Sequence, residues 1–282
     1  MTRPPVHLTR RHLLAGIGVA AAAPTAAIRA QPRRPQTLAI DATPAPLQLG
    51  PDRDETAVWS LRTDPSAILR FRQAETIDVA LHNGLPAPLV LNWHGIDGAP
   101  SVEPLTGRPP TSPGATDRFL LPLRQAGTFL CDTRLLGDGL AQSSPAQALI
   151  VEERTPLEVD RDEVMRIEDW RLDAEGRPIA PGAGGKAAGA PLYLVNGKPS
   201  LDLALRSNER LRLRIINACQ RNAIAIGIQN LEVRIMAIDS QPAEPFLARN
   251  GRLVLAPGSR VDAILDATLP AGTASAVTLH DG

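Results

Sequence analysis

Cysteine, histidine, surplus charge and long apolar runs are what this sequence has little of. Two cysteines, Cys131 and Cys219, are all that 282 residues contain, too few for a disulfide framework. A single bond in an oxidising compartment and two buried thiols both remain open. Basic and acidic residues balance at 30 each. Nucleic-acid binders carry a basic surplus or basic runs, so that class is set aside. Beyond the N-terminal leader no apolar stretch approaches the roughly 18 residues that a membrane helix needs, and no transmembrane segment is expected in the mature chain. What remains, 43% apolar and 21% charged residues, is the balance of a globular protein with a real core.

Residues 1–30 stand apart. Arg3, Arg10, Arg11 and Arg29 are their only charged residues, and removing them leaves 26 basic against 30 acidic, or about −4. Arg10 and Arg11 precede a short apolar run, Leu13 to Ala23, and small residues close the stretch near Ala30. A basic front, a short apolar middle and a small-residue end make a signal peptide. The arginine pair resembles the twin-arginine export signal; an ordinary secretory signal that happens to carry Arg-Arg is the other reading. Export is expected by either route, and the twin-arginine route implies the periplasm.

The mature chain is patterned for strands. Ala67–Arg72, Thr76–Leu81, Arg210–Ile215 and Leu231–Ile235 alternate apolar with polar residues. Period two predicts one buried face and one wet face, as in antiparallel sandwiches. Pro and Gly turns such as Asn83-Gly84-Leu85-Pro86 and Ala256-Pro257-Gly258 separate the short strands. The expected class is all-β, two tandem Greek-key sandwiches.

A repeat lies within this pattern. Leu69-Arg70-Phe71-Arg72-Gln73-Ala74-Glu75 aligns with Leu203-Ala204-Leu205-Arg206-Ser207-Asn208-Glu209, and Ile77, Val79, Leu81 and Asn83 fall on Leu211, Leu213, Ile215 and Asn217. One offset, about 134 residues, serves the whole alignment and is the length of one domain. The expected division is a leader at 1–30, a first domain at 31–151 and a second at 152–282. The Gly- and Ala-rich stretch from Ala180 to Pro191 has no phosphate-loop spacing and is read as a flexible surface loop.

Leu89-Val90-Leu91-Asn92-Trp93-His94-Gly95 reads as a buried strand ending in a turn. Its last four residues resemble the first copper motif of the multicopper oxidases, His-Trp-His-Gly. Ser112-Pro113-Gly114, Gly127-Thr128-Phe129, Leu194-Val195-Asn196-Gly197-Lys198-Pro199 and Leu255–Asp262 resemble further framework motifs of that family. The resemblance covers most of the mature chain. It implies cupredoxin (plastocyanin-like) domains, copper binding and oxidoreductase chemistry.

The same alignment implies that most ligands are gone. Asn92 stands where the first imidazole of the motif belongs, and His94 keeps the second. After Gly-Thr-Phe the family continues Trp-Tyr-His-Ser-His, whereas this chain has Leu130-Cys131-Asp132-Thr133-Arg134. Asp132 and Arg134 therefore stand at the other two histidine positions. Copper in such sites takes imidazole and thiolate donors, and a guanidinium cannot ligate. An Asp132–Arg134 ion pair is the expected substitute for the metal's charge. His82, read as a wet loop residue, and His280 are the remaining histidines of the mature chain. Cys131, His94 and Asp132 could form a small ligand patch. Trp59, Trp93 and Trp170 are expected core anchors, and Glu168-Asp169-Trp170 resembles a framework element with no catalytic role.

Two functional classes follow. One is an exported, non-catalytic scaffold or binding protein, similar to the family's copper-free periplasmic relative associated with bacterial cell division, with no cofactor. The other is a copper-dependent, laccase-like oxidoreductase or a fragment of one, its missing ligands supplied by a partner chain or by the family's third, copper-bearing domain. In this chain that third domain is expected to be absent. A protein partner is expected at the exposed end of the second domain.

Overall fold

The computed structural model of the protein describes residues 35–50, 55–63, 68–96, 107–133, 145–180 and 190–280. The leader with Arg10 and Arg11, Arg134 and most of the Ala180–Pro191 stretch lie outside the described residues.

The chain is built of strands. In order they are β1 (Gln36–Gln48), β2 (Glu55–Thr63), β3 (Ile68–Arg72), β4 (Thr76–Asn83), β5 (Asn92–His94), β6 (Thr116–Pro122), β7 (Gly127–Asp132) and β8 (Gln147–Glu152). Then come β9 (Arg161–Trp170), β10 (Leu192–Val195), β11 (Arg210–Asn217), β12 (Ile224–Ile228) and β13 (Arg234–Ile238). The last four are β14 (Gln241–Leu247), β15 (Arg252–Leu255), β16 (Arg260–Asp266) and β17 (Val277–His280).

They form two sandwiches. The first stacks a sheet of order β2-β1-β4-β6 on one of order β3-β8-β7-β5. The second stacks β10-β9-β11-β16-β13-β14 on β15-β12-β17. Most pairs are antiparallel, but β1 runs parallel to β4, β3 to β8 and β9 to β11. Parallel neighbours of this kind come from connections that cross between sheets, as Greek-key topology requires.

Alternation decides what fills each core. Ile77, Val79 and Leu81 of β4 meet Leu69, Phe71, Trp93, Phe129 and Cys131 from the opposite sheet. Each fully buried Leu, Ile or Phe side chain contributes about 1.5–3 kcal/mol. Leu211, Leu213 and Ile215 of β11 do the same in the second core with Ile224, Ile226, Ile228 and Cys219. The two thiols sit in different cores and form no disulfide. Trp59 and Trp93 belong to the first core, and Trp93 meets Phe119 edge-on with centroids 6.5 Å apart. Trp170 anchors a smaller cluster with Leu49, Val58 and Leu194.

The 134-residue repeat reappears as hydrogen bonds. Asn83 Nδ2 donates to the carbonyls of Ala87 and Thr111, and its Oδ1 accepts from the Leu85 amide. Asn217 Nδ2 donates to Asn222 and Leu255, and its Oδ1 accepts from the Cys219 amide. Glu75 and Glu209 each accept from the backbone amide three residues earlier, at Arg72 and Arg206. The shared Asn and Glu are therefore fasteners of the turn that follows β4 or β11 and of the turn that precedes it. Buried amides demand partners of this kind.

Two readings from pattern need correction. His82 is exposed as expected but lies on β4, where its Nδ1 is 3.5 Å from Asp41 Oδ1. Strand β11 has no wet face, since every residue after Arg210 is buried.

Candidate functional site: the Trp-His-Gly turn at the sandwich junction

The β5–β7 ladder sets the site. Asn92 lies opposite Asp132, Trp93 opposite Cys131 and His94 opposite Leu130. Trp93 enters the first core, so Asn92 and His94 share the other face of β5, which looks toward the second sandwich. There His94 Nε2 lies 3.1 Å from Asp132 Oδ2 and 3.1 Å from Asn92 Nδ2. A protonated Nε2 donates to the carboxylate; a bare Nε2 accepts from the Asn92 amide. One proton satisfies one contact at a time. Asp132 is 2% exposed at its side chain and His94 26%.

Domain-two residues close over this turn. A Cβ placed on Gly258 would meet His94 Nδ1 at 3.5 Å. At Gly95, whose φ is +83°, an added Cβ would collide with Arg260 Nη2, so this position suits glycine on two counts. Arg260 donates to Gly258 O at 2.6 Å and to Thr128 O at 3.1 Å. The Leu255–Asp262 motif is thus a clamp on the first sandwich. Arg260 loses basicity because burial outweighs the attraction of Asp239 and Asp262.

Beside it lies a charged network that pattern reading missed. Thr128 Oγ1 donates to Asp262 Oδ1 at 2.5 Å, while Asp262 Oδ2 accepts from Arg212 at 2.6 Å and Arg214 at 3.2 Å. Arg214 also holds Asp162 through two bonds of 2.6 and 2.7 Å, and Arg212 reaches Glu153 at 2.7 Å. Burial alone would depress Arg212, but Glu153 and Asp262 hold it above its ordinary value. Burial would raise Asp162, but Arg214 wins and holds it below. An apolar patch of Leu130, Ala148 and Ile150 against Val164 and Ile216 flanks these charges. The available signal was Arg210-Leu211-Arg212-Leu213-Arg214: arginines at every second position need carboxylates once that face is covered.

The expected Asp132–Arg134 pair cannot be traced, because Arg134 lies outside the described residues; Asp132 instead meets His94. The Cys131-His94-Asp132 patch does not form. Cys131 points into the first core, and burial, with Asp132 next in chain, keeps its thiol well above the usual range. Glu168 and Asp169 act as framework, Glu168 accepting from the Ala146 amide and Asp169 from Gln220 and Asn222. Among the described residues no three His, Cys, Asp or Glu side chains converge as a metal site. Asn92 turns its amide nitrogen, a donor, toward the one imidazole. These residues do not fit the copper cluster that the motif implies.

The architecture defines an all-β protein of the cupredoxin-like class. The multicopper oxidase family model matches residues 162–273. Laccase-24 of Oryza sativa subsp. japonica is 27% identical over 240 residues, covering 76% of this chain and 40% of that protein. Multicopper oxidase MmcO of Mycobacterium tuberculosis is 24% identical over 265 residues, covering 79% and 51%. The solved structure of Lac15 from a marine microbial metagenome superposes with a TM-score of 0.69 at 25% identity, over 84% of this chain and 61% of that one. A multi-copper oxidase from Pseudomonas thermotolerans superposes with a TM-score of 0.74 at 24% identity, covering 86% and 61%. Over residues 162–273 the chain matches the multicopper oxidase family, and it is similar to these oxidases over most of its length. It spans 40 to 51% of the length of these two curated relatives.

Proposed function

We propose that this chain is an exported, non-catalytic binding module on a multicopper oxidase scaffold, working in the periplasm without resident copper. One observation carries the reading. His94 contacts Asn92 and Asp132, at two more of the family's imidazole positions, at 3.1 Å each, and among the described residues no group of three His, Cys, Asp or Glu side chains forms there. A tight copper site needs three or four donors at one point. Here one imidazole is already engaged by its neighbours, and the clamp of Arg260 adds a fixed cation beside the turn.

A laccase-like copper oxidoreductase is the second reading. It is favoured by the share of its relatives that the chain spans, because ligands could come from outside the 282 residues. Elemental analysis of the exported, dialysed protein, grown with ample copper, separates the two. The proposal expects no retained copper and no oxygen uptake with a phenolic or cuprous substrate. Near-stoichiometric copper with oxygen uptake overturns it. The export route has its own test. Replacing Arg10 and Arg11 by Lys should block export of folded protein if the twin-arginine route is used, and unchanged export assigns the ordinary secretory route.

A further inference from the structure

Asparagine followed by glycine occurs three times, at Asn83-Gly84, Asn196-Gly197 and Asn250-Gly251. Glycine has no side chain to shield its own amide. Each pair is therefore competent for attack of the glycine nitrogen on the asparagine amide carbon. What differs is how firmly the fold holds that amide.

Two of the three are held. Asn83 is fully buried, and its side chain bonds to the backbone at Leu85, Ala87 and Thr111. Asn196 accepts from the Arg166 amide at 2.9 Å and donates to the Val164 carbonyl at 2.7 Å, which ties it to β9. Asn250 has neither protection. It is exposed, and among the described residues its side chain makes no hydrogen bond. The comparison with Asn196 is close because the backbones match. Asn196 and Gly197 have φ of +53° and +76°, and Asn250 and Gly251 have +54° and +63°. The Gly251 amide is held by a bond to Ala248 O at 3.1 Å, which closes the short 3-10 turn Arg249–Gly251 between β14 and β15. Such a turn opens locally without disturbing the core. Asn250 also lines an open cavity with Ile228, Gly251 and Arg252, so water reaches it.

We infer that Asn250 is a site of spontaneous deamidation, and that the isoaspartate formed there loosens β15 from β12. The Gly251 nitrogen bonds to Cγ of Asn250 and gives up its proton. The side-chain nitrogen takes that proton and leaves as ammonia, and a five-membered imide results. Water then adds to one imide carbonyl, and the C–N bond that breaks decides the product. Opening at the side-chain carbonyl gives aspartate. Opening at the main-chain carbonyl gives isoaspartate, whose backbone is one carbon longer. No electrons are transferred. Gly251 has no room for the longer chain, because an added Cβ there would collide with the carbonyl oxygen of Ile228, the last residue of β12. Aspartate adds only a charge at an exposed position. The inference is independent of whether the chain holds copper.

The test incubates the 282-residue chain, folded and in denaturant, in mildly alkaline buffer at body temperature, and follows the three Asn-Gly peptides by mass spectrometry. In the unfolded chain the three should convert at similar rates, because each has glycine next. In the folded chain Asn250 should convert at least about tenfold faster than Asn83 or Asn196, whose side-chain bonds must open first. A smaller ratio, whether all three are protected or all convert, overturns the site. Amide exchange then separates the two products. Over residues 224–228 and 252–255 it should rise at least about threefold in the isoaspartyl form and stay near the parent's in Asn250→Asp. Unchanged exchange in the isoaspartyl form overturns the loosening of β15. An equal rise in Asn250→Asp assigns the effect to charge and overturns the longer backbone as its cause.

Discussion

The two sandwiches share their fasteners and differ in what they enclose. Asn83 and Asn217 make the same three bonds in the same frame, as Glu75 and Glu209 make the same turn contact. Yet the first sandwich buries its β3–β8–β7 seam, whereas the second leaves Leu203, Leu205 and Val277 partly uncovered. The first also carries the Trp-His-Gly turn, against which the second sets the Gly258–Arg260 clamp. Turn chemistry is thus what the repeat retained, because an unpaired buried amide costs about 1–3 kcal/mol wherever it occurs.

The largest expected effect lies at the junction. Asp262→Ala leaves Arg212 and Arg214 without a shared carboxylate in a buried setting and removes the acceptor of the Thr128 hydroxyl. Removing one partner of such a network costs about 3–5 kcal/mol. Chemical denaturation should show that loss, with exchange rising in both β7 and β11. If it shows less than about 1 kcal/mol, the charges are solvated and the sandwiches are held by the apolar patch alone.

A matched pair sharpens the contrast between the seams. Leu69→Ala removes a fully enclosed side chain and should cost about 2–5 kcal/mol. Leu203→Ala, 134 residues on, removes a half-buried one and should cost about half as much or less. Equal losses would mean that residues 202–206 are as well covered as β3.

Much of the fold was legible in the sequence. Period-two alternation marked β3, β4 and β11 within a residue or two, and the shared Asn and Glu pointed to the repeat. Other features were hidden for physical reasons. Alternation cannot tell a wet face from one covered by a second sandwich, so Arg212 and Arg214 read as solvent-facing although both are buried. At Leu231–Ile235 the apolar pattern begins before the ladder does, and β13 starts at Arg234. A motif aligned by letter gives neighbourhood but not direction. Cys131 and Asp132 are adjacent in sequence yet point to opposite faces of β7, the thiol into the core and the carboxylate toward His94.

Acid should loosen the junction before it unfolds either core. Asp162 is held below its ordinary value of 3.8 and Glu153 below 4.5; burial opposes this, and Arg214 and Arg212 outweigh it. Groups with depressed folded values stabilise fully above their unfolded values and lose that contribution as pH falls through the folded ones. Stability should therefore be flat above roughly pH 5 and fall below roughly pH 4 from these two groups. In Asp162→Asn the fall should be shallower. A melting temperature that depends on pH equally in both proteins would remove Asp162 from the account.

The smallest effect is expected at the motif that first drew attention. His94 is the histidine of the Trp-His-Gly turn; its side chain is partly exposed and its contacts are to Asn92 and Asp132. His94→Ala exchanges those two contacts for water at one edge and should cost about 1 kcal/mol. A larger loss is expected from Asp132→Ala, because that carboxylate is buried at the foot of β7. The order of the two is what matters. If His94→Ala proved the more damaging and its effect appeared only in protein grown with copper, the imidazole would be acting as a ligand. The turn would then be an incomplete metal site awaiting donors from elsewhere. If the order holds with and without copper, His94 is a structural partner of Asp132, and the family's chemistry has left this turn while its geometry stayed.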